Sequence, residues 1–138
     1  HFPVEHEGHP LLLAAFRDHL EALAKHQDKT GMWHQIIDHP DSYAEFTATC
    51  MIGYSIAIAL ENNWLETSEW QPRLDLAWNA IKMHISTDGK TLLNVCTGTG
   101  KQLNLEDYYR REAILGSDSR GGAMALMFAA EMKKRYTQ

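Results

Sequence analysis

The hydrophobic pattern of the chain is dominated by residues 45–60, which read EFTATCMIGYSIAIAL. The large aliphatic side chains of this stretch are Met51, Ile52, Ile56, Ile58 and Leu60, with alanines between them. No charged face therefore remains over about four helical turns. A helix that is apolar all round is either buried on every side or crosses a membrane. Because a span needs ~20 apolar residues and polar ones such as Glu45 and Ser55 interrupt this stretch, we predict a buried inner helix.

Two amphipathic helices and a second apolar helix accompany it. From Pro10 onward, one face carries Leu13, Phe16, Leu20 and Leu23, and the helix ends in the turn at 28–31. A similar face begins at Pro72 and carries Leu74, Ala77, Trp78, Ile81 and Ile85. The last helix is predicted from Gly121 to about Tyr136 and is apolar nearly all round until Lys133.

The segments between the helices are polar and short. Residues 32–38 form an aromatic and polar connector, after which Pro40–Ser42 starts the apolar helix. Ser42 followed by Glu45 predicts a capping box, and the helix is predicted to end near 62–63. Asp88-Gly89 indicates a hairpin with a short strand over 90–96. A flexible polar loop at 97–101, a short helix around 106–113 and a loop at 116–120 complete the chain.

This order of amphipathic and all-apolar helices predicts two stacked helical hairpins, each with one helix outside and its mate inside. Concentric α/α barrels and α-solenoids share that layout, and the lack of a clear repeat favours a barrel. A ring of twelve helices needs roughly 300 residues, so 138 residues cannot close one alone. We therefore predict an all-α fold that is part of an (α/α)6 barrel with a short β-hairpin insertion.

Composition narrows the class of protein. The chain has 44% hydrophobic and 22% charged residues, ordinary values for one globular domain. Its net charge of −5 argues against nucleic acid as a partner, and we expect no membrane partner either. Two isolated cysteines, Cys50 and Cys96, form no disulfide framework or zinc motif.

The N-terminal segment raises the question of a metal site. His1, His6 and His9 lie near Glu5 and Glu7, but the spacing matches no zinc signature, so a solvated arm is favoured. We expect no metal and no cofactor. No signal peptide is visible, but the sequence begins without methionine, so the missing targeting segment says little. We expect the cytoplasm, with the periplasm as the alternative.

Three blocks carry a family resemblance. They are GMWHQIID at 31–38, SYAEFTATCMIGY at 42–54 and DYYRREAILGSDSRGGAMAL at 107–126. In this order they resemble the C-terminal part of glycoside hydrolase families 88 and 105, and family 105, the unsaturated rhamnogalacturonyl hydrolases, more than its neighbour. The resemblance runs from about Pro10 to Met132. It implies that residues 1–138 are the C-terminal portion, about the last third, of a single six-hairpin glycosidase domain.

The resemblance also implies a reaction. Enzymes of this kind hydrolyse unsaturated oligosaccharides that pectin-type lyases produce, whose terminal sugar is a 4,5-unsaturated uronic acid. An aspartate protonates the double bond and activates the water that adds at C5. Such acid–base work needs a carboxyl group with a raised pKa. The spacing rule for paired carboxylates in ordinary glycosidases does not apply.

The catalytic aspartate of the family lies upstream of the matched region. None of the aspartates at 38, 41, 107 and 118 matches its motif, so we assign no catalytic residue. The resemblance implies two partners for this chain: an unsaturated oligosaccharide and the remainder of the barrel, either a preceding part of the same protein or another chain. We expect the chain to be inactive alone.

Six residues are candidates for substrate binding. Trp33 could stack on a sugar or pack under its own loop, Gln35 could bind hydroxyl groups, and His34 could be a ligand or a packed surface histidine. Glu45 is explained by helix capping and is kept as a candidate that supports the site.

Arg120 and Asp118 precede the last inner helix. A planar cation there suits a uronate carboxylate, whereas a surface Arg120–Asp118 pair is the alternative. A short amphipathic helix accounts for Tyr108, Tyr109 and Arg111.

Two other functions remain open. One is a non-catalytic helical binding or scaffold module, and the other is a sugar epimerase, because α/α barrels support that chemistry too. A segment bearing the catalytic aspartate in the complete protein would favour the hydrolase, and its absence would favour the scaffold.

Overall fold

The computed structural model describes residues 2–98 and 100–137 and is mainly helical. Five helices and four short strands follow one another as α1 (His9–Ala24), β1 (Trp33–His34), β2 (Ala44–Glu45), α2 (Phe46–Glu61), α3 (Thr67–Met83), β3 (Leu92–Cys96), α4 (Leu105–Tyr109), β4 (Ala113–Gly116) and α5 (Ser119–Tyr136). His1, Gln138 and Thr99, which belongs to the predicted polar loop, lie outside the described residues. The predicted order of four long helices is confirmed.

Helix α2 lies at the centre, because it packs against both α3 and α5. The close approach to α5 depends on Gly53, where an added Cβ would lie 2.5 Å from the Phe128 ring. Phe128 is fully buried and meets the Trp78 ring of α3 edge-on. One core therefore joins the three helices, and its largest fully buried side chains include Phe46, Ile56, Leu74 and Ile81.

Helix α1 packs through the predicted apolar stripe. Leu20 is buried, and Phe16 meets the Trp64 ring edge-on just after α2. The Arg17 guanidinium donates a hydrogen bond of 2.7 Å to the carbonyl of Trp64, which ties the outer face of α1 to the same corner. The amphipathic prediction for this helix is confirmed.

The predicted capping box at the start of α2 is wrong. The helix begins at Phe46, and Glu45 is itself the N-cap, accepting from the N–H groups of Thr47 and Ala48. Ser42 lies three residues before the N-cap, where its hydroxyl donates to His39 O and accepts from Ile36 N. Because its hydroxyl is occupied in the preceding turn, Ser42 does not cap the helix.

Helix α3 begins earlier than predicted. It starts at Thr67, so Pro72 lies inside it rather than at its first position. Proline has no backbone N–H, so a helix accepts it only where the hydrogen bond from that N–H is not needed. Pro72 lies on the exposed side of the helix near its start.

The strands were only partly predicted. The predicted hairpin at Asp88-Gly89 is confirmed, because Leu92 at the start of β3 pairs with Ile85 across that turn. The strand also pairs with β4, and Ala113 belongs to β4 rather than to the helix predicted over 106–113. That helix, α4, ends at Tyr109. A second two-stranded sheet, β1 with β2, pairs Trp33 with Glu45 across the segment interpreted as a plain connector.

The prediction that α2 is buried on every side is wrong for this chain. Met51 is 53% exposed, and it shares a groove with Tyr54 of α2 and Met127 of α5. Met127 is itself 46% exposed, because nothing among residues 2–98 and 100–137 covers this side of the two helices. None of the helices in the described part of the chain is long and apolar enough to span a bilayer.

Candidate functional site

A pocket of about 240 Å³ opens at the N-terminal end of α2. It brings together three of the six predicted binding residues: His34 and Gln35 from the β1 region and Glu45 from β2. Its other lining residues are Thr47, Ala48, Met51, Cys96, Tyr108 and Arg111. The walls therefore come from four separate segments, which the short sheets hold against the first turn of α2.

Glu45 forms the most heavily bonded part of this pocket. Its side chain is 4% exposed, and its carboxylate accepts from the N–H and hydroxyl of Thr47, from Ala48 N and from Cys96 N. Backbone N–H groups at a helix N-terminus suit a carboxylate, and four donors of the chain occupy this one. Glu45 consequently joins the segments that line the pocket.

His34 is fixed from both sides of its ring. Nδ1 lies 2.5 Å from Ser42 O, and Nε2 lies 2.9 Å from the Asp28 carboxylate. Both partners are acceptors, so a doubly protonated ring satisfies both contacts and a neutral ring satisfies one. Burial alone would raise the pKa of Asp28, but hydrogen bonds from Thr30, His34 and Met32 outweigh it and hold that pKa below 3.8.

Gln35 is half used. Its Nε2 donates to Tyr108 O at 3.2 Å, which fixes the orientation of the amide. Its Oε1 is buried and has no donor in the part of the chain that the structure describes. A buried acceptor without a donor costs free energy, so Gln35 Oε1 is an open position for a hydrogen-bond donor.

Tyr43 lies behind the pocket beside Cys96. Burial, followed by the neighbouring Cys96 sulfur and Glu45 carboxylate, raises the pKa of the Tyr43 phenol, while Arg111 acts in the opposite direction. Its hydroxyl is buried without a partner among the described residues. The Cys96 thiol itself donates to Gly98 O at 3.5 Å.

Asp118 and Arg120 lie next to the pocket but outside its lining. Asp118 is the N-cap of α5 and accepts from the N–H groups of Arg120 and Gly121. Arg120 is 52% exposed on its side chain and donates from Nη2 to Asp118 Oδ2 at 2.9 Å and from Nη1 to Thr97 O at 3.0 Å. The ion pair raises the pKa of Arg120 and lowers that of Asp118.

These contacts show that α2 and α5 begin at the same end of the structure. Cys96 bonds to the N-cap of α2, and the next residue, Thr97, accepts from Arg120 in the first turn of α5. The end of β3 therefore bridges the two helix N-termini.

Trp33 occupies the core beneath the pocket. Its ring is fully buried, and its Nε1 donates to Leu23 O at 2.7 Å, the carbonyl near the end of α1. No ring surface is open for stacking on a sugar, so the structure favours the packing alternative for this residue.

Sequence reasoning missed several lining residues. Arg111 was attributed to a short amphipathic helix, but α4 ends at Tyr109 and Arg110 is its C-cap, so Arg111 stands outside it. Thr47 and Tyr108 lie within the blocks at 42–54 and 107–126, but only the β3–β4 pairing and the turn of α4 bring them together with Cys96. Among the described residues, no three His, Cys, Asp or Glu side chains gather where they could hold a metal ion.

A curated relative is similar to nearly the whole of this chain. The chain is 33% identical to the unsaturated rhamnogalacturonyl hydrolase YesR of Bacillus subtilis strain 168. That match covers 98% of this chain and 38% of the relative, so the chain spans about two fifths of that protein.

Solved structures of similar shape include two possible members of family GH105. One, from Salmonella enterica serovar Paratyphi A, is 33% identical with a TM-score of 0.86, covering 98% of this chain and 35% of that protein. The other, from Klebsiella pneumoniae, is 28% identical with a TM-score of 0.86, covering 98% and 34%. The family model described as Glycosyl Hydrolase Family 88 matches residues 1–136. The chain belongs to Glycosyl Hydrolase Family 88.

Proposed function

We propose that this chain forms the substrate-binding wall of a hydrolase that removes a terminal 4,5-unsaturated uronic acid from lyase-generated, pectin-like oligosaccharides. The resemblance of the three sequence blocks and the named Bacillus relative support this substrate class. The chain contributes the C-terminal part of an (α/α)6 barrel, and the remainder of the barrel contributes the catalytic aspartate.

The observation that carries the proposal is the pocket at the start of α2. It gathers His34, Gln35 and Glu45 at the end of the structure where both inner helices begin. Among the described residues that line it, Glu45 alone carries a carboxylate, and hydrogen bonds from the chain itself occupy that group. The pocket thus offers binding groups without an acid, as expected of one wall of a shared site.

The remainder of the barrel carries out the proton transfer, and this chain binds the substrate. An aspartate from the rest of the barrel donates a proton to C4 of the unsaturated ring, and water adds at C5 to give a hemiketal. The hemiketal opens and releases the sugar without attack at the anomeric carbon. The residues of this chain bind and orient the ring, and Asp118 with Arg120 holds the neighbouring loop end at Thr97 in place.

The uncovered side of the two inner helices supports a shared barrel. Met51 and Met127 face a common groove that is open in this chain. Exposed apolar surface of this kind marks a surface that another element covers. In the proposed barrel, the inner helices of the remainder occupy that groove.

An unsaturated digalacturonide tests the proposal. The complete enzyme is expected to remove the ultraviolet absorbance of the conjugated double bond, and the 138-residue chain alone is expected to leave it unchanged. Turnover by the isolated chain would contradict the division of the site. A complete protein that binds the sugar without consuming it would favour the non-catalytic binding module instead.

A further inference from the structure

Arg111 differs from the other arginines of the chain. Each of the others donates a side-chain hydrogen bond to the protein; these are Arg17, Arg73, Arg110, Arg120 and Arg135. The Arg111 guanidinium makes no hydrogen bond or ion pair within residues 2–98 and 100–137, although it is half-buried and lines the pocket. A half-buried cation without a partner is costly unless a ligand or a further segment supplies an anion.

A second open group lies in the same pocket. Gln35 Oε1 is buried and lacks a donor, while Gln35 Nε2 is held by Tyr108 O. The pocket therefore presents five N–H donors of a guanidinium together with one unoccupied acceptor. A molecule that carries both a carboxylate and a hydroxyl group satisfies this combination.

We propose that Arg111 binds the carboxylate of the terminal unsaturated uronate and that Gln35 Oε1 accepts a hydrogen bond from one hydroxyl of the same ring. This inference rests on the proposed function and deepens it by assigning the residue that recognises the acid group.

The charges around Arg111 are consistent with an incoming anion. Glu45 is the negative group in the lining, and its charge faces the N–H groups of α2 and of Cys96. His34 is engaged with Asp28. Arg120, which the sequence suggested for this role, already donates hydrogen bonds from both terminal nitrogens, one to Asp118 and one to Thr97. Of these two arginines, Arg111 is thus the one whose guanidinium N–H groups are available to a ligand.

Binding of galacturonate to the complete enzyme tests the inference, with galactose as the neutral sugar that differs only at C6. Nuclear magnetic resonance titration gives both affinities without any need for turnover. Arg111→Gln is expected to weaken galacturonate binding by about tenfold or more, because a charge-assisted two-point contact is lost. Galactose binding is expected to remain unchanged.

Two variants serve as controls. Arg110→Gln removes the neighbouring arginine, which is exposed and paired with Glu106, and is expected to leave galacturonate affinity unchanged. Arg111→Lys retains the charge but not the fork, so its affinity should fall between those of the original enzyme and Arg111→Gln. A merely structural role for Arg111 would change the affinities for both sugars together.

Three results would overturn the inference: galacturonate affinity within about twofold of the original in Arg111→Gln, equal affinity for the two sugars, or no galacturonate binding at all. The proposed function fails separately, when the complete enzyme binds galacturonate through Arg111 yet consumes no unsaturated substrate. In the active enzyme, Arg111→Gln should raise KM more than it lowers kcat, because the carboxylate takes no part in bond making.

Discussion

The backbone N–H of Cys96 donates a hydrogen bond of 3.0 Å to the carboxylate of Glu45, across 51 positions of sequence. The same carboxylate caps α2 through Thr47 and Ala48. One side chain therefore joins the end of β3 to the first turn of the central helix. Because Gln35 and Arg111 line the pocket around that junction, its geometry depends on the hydrogen bonds of Glu45.

Replacing Glu45 by glutamine should lower the free energy of unfolding by about 1–2 kcal/mol. The amide has one acceptor oxygen instead of two, and its NH₂ group faces backbone donors. Urea unfolding followed by circular dichroism measures the change. Glu66→Gln is the matched control, because Glu66 occupies the N-cap of α3 but makes no side-chain cap hydrogen bond. A similar loss in both variants would contradict the special role of Glu45.

Asp28 should make stability depend on pH in the acid range. Its folded-state pKa lies below its usual value of 3.8, so its contribution is present above that pH and is lost as pH falls through the folded pKa. Asp28→Asn should cost about 1 kcal/mol at neutral pH, since the His34 contact and the turn at Thr30 weaken. The difference from the original chain should shrink below about pH 4.

Asp18→Asn provides the comparison for this pH effect. Asp18 is exposed on α1 and lacks a side-chain hydrogen bond within the part of the chain that the structure describes. Urea unfolding of both variants at neutral pH and in the acid range gives the free-energy differences. A pH-independent effect of Asp28→Asn would show that the lost contacts are steric rather than ionic.

The sequence predicted the helices whose apolar positions follow the helical period. The stripe of Leu20 and Leu23 and the apolar run through Ile56 placed α1 and α2 in the right order, because burial of a helix face repeats every 3.6 residues. The start of α2 was misplaced for a physical reason. Ser42 and Glu45 have the spacing of a capping box, and only the three-dimensional path shows Glu45 capping the helix by itself.

The site was less predictable than the fold. His34, Gln35 and Glu45 were found because they precede an inner helix, whereas Arg111 belongs to the block at 107–126 and only long-range contacts bring it to the pocket. A two-residue strand such as β1 is too short to show alternating apolar and polar positions. The sequence therefore did not predict the sheet that buries Trp33. Trp33 illustrates the limit, because an aromatic residue near a site packs or binds depending on neighbours far away in sequence.

Gly53→Ala should destabilise the contact between α2 and α5. The added Cβ would lie 2.5 Å from the Phe128 ring, which is fully buried and held edge-on by Trp78. The expected loss is about 1–3 kcal/mol, despite the better helix propensity of alanine. Gly122→Ala is the control, because its Cβ would meet nothing within 4 Å and should be neutral or stabilising. Thermal unfolding of both variants measures the difference.

A double variant tests whether the clash explains that loss. Phe128→Leu leaves a cavity and should be destabilising alone, but combined with Gly53→Ala the two effects should be less than additive. The added methyl group would then fill space that the ring vacates. Strictly additive losses would mean that the Gly53 effect does not pass through Phe128.

The groove between α2 and α5 gives a prediction that separates the chain from the complete enzyme. Met127 lines that groove and is 46% exposed, and Met83 at the end of α3 is 80% exposed. In the isolated chain, Met127→Gln and Met83→Gln should both change stability by less than about 0.5 kcal/mol, because each side chain already meets water. Thermal unfolding and binding of a hydrophobic dye are the measurements, and Met127→Gln should also reduce dye binding.

In the complete enzyme the two substitutions should differ. If the remainder of the barrel covers the groove, Met127→Gln buries an amide without partners and should cost about 1–3 kcal/mol, whereas Met83→Gln stays neutral. The same methionine-to-glutamine change is used at both positions, so side-chain volume and helix propensity are matched. A neutral Met127→Gln in the complete enzyme would show that the groove remains open to solvent, and the shared-barrel arrangement would then have to be abandoned.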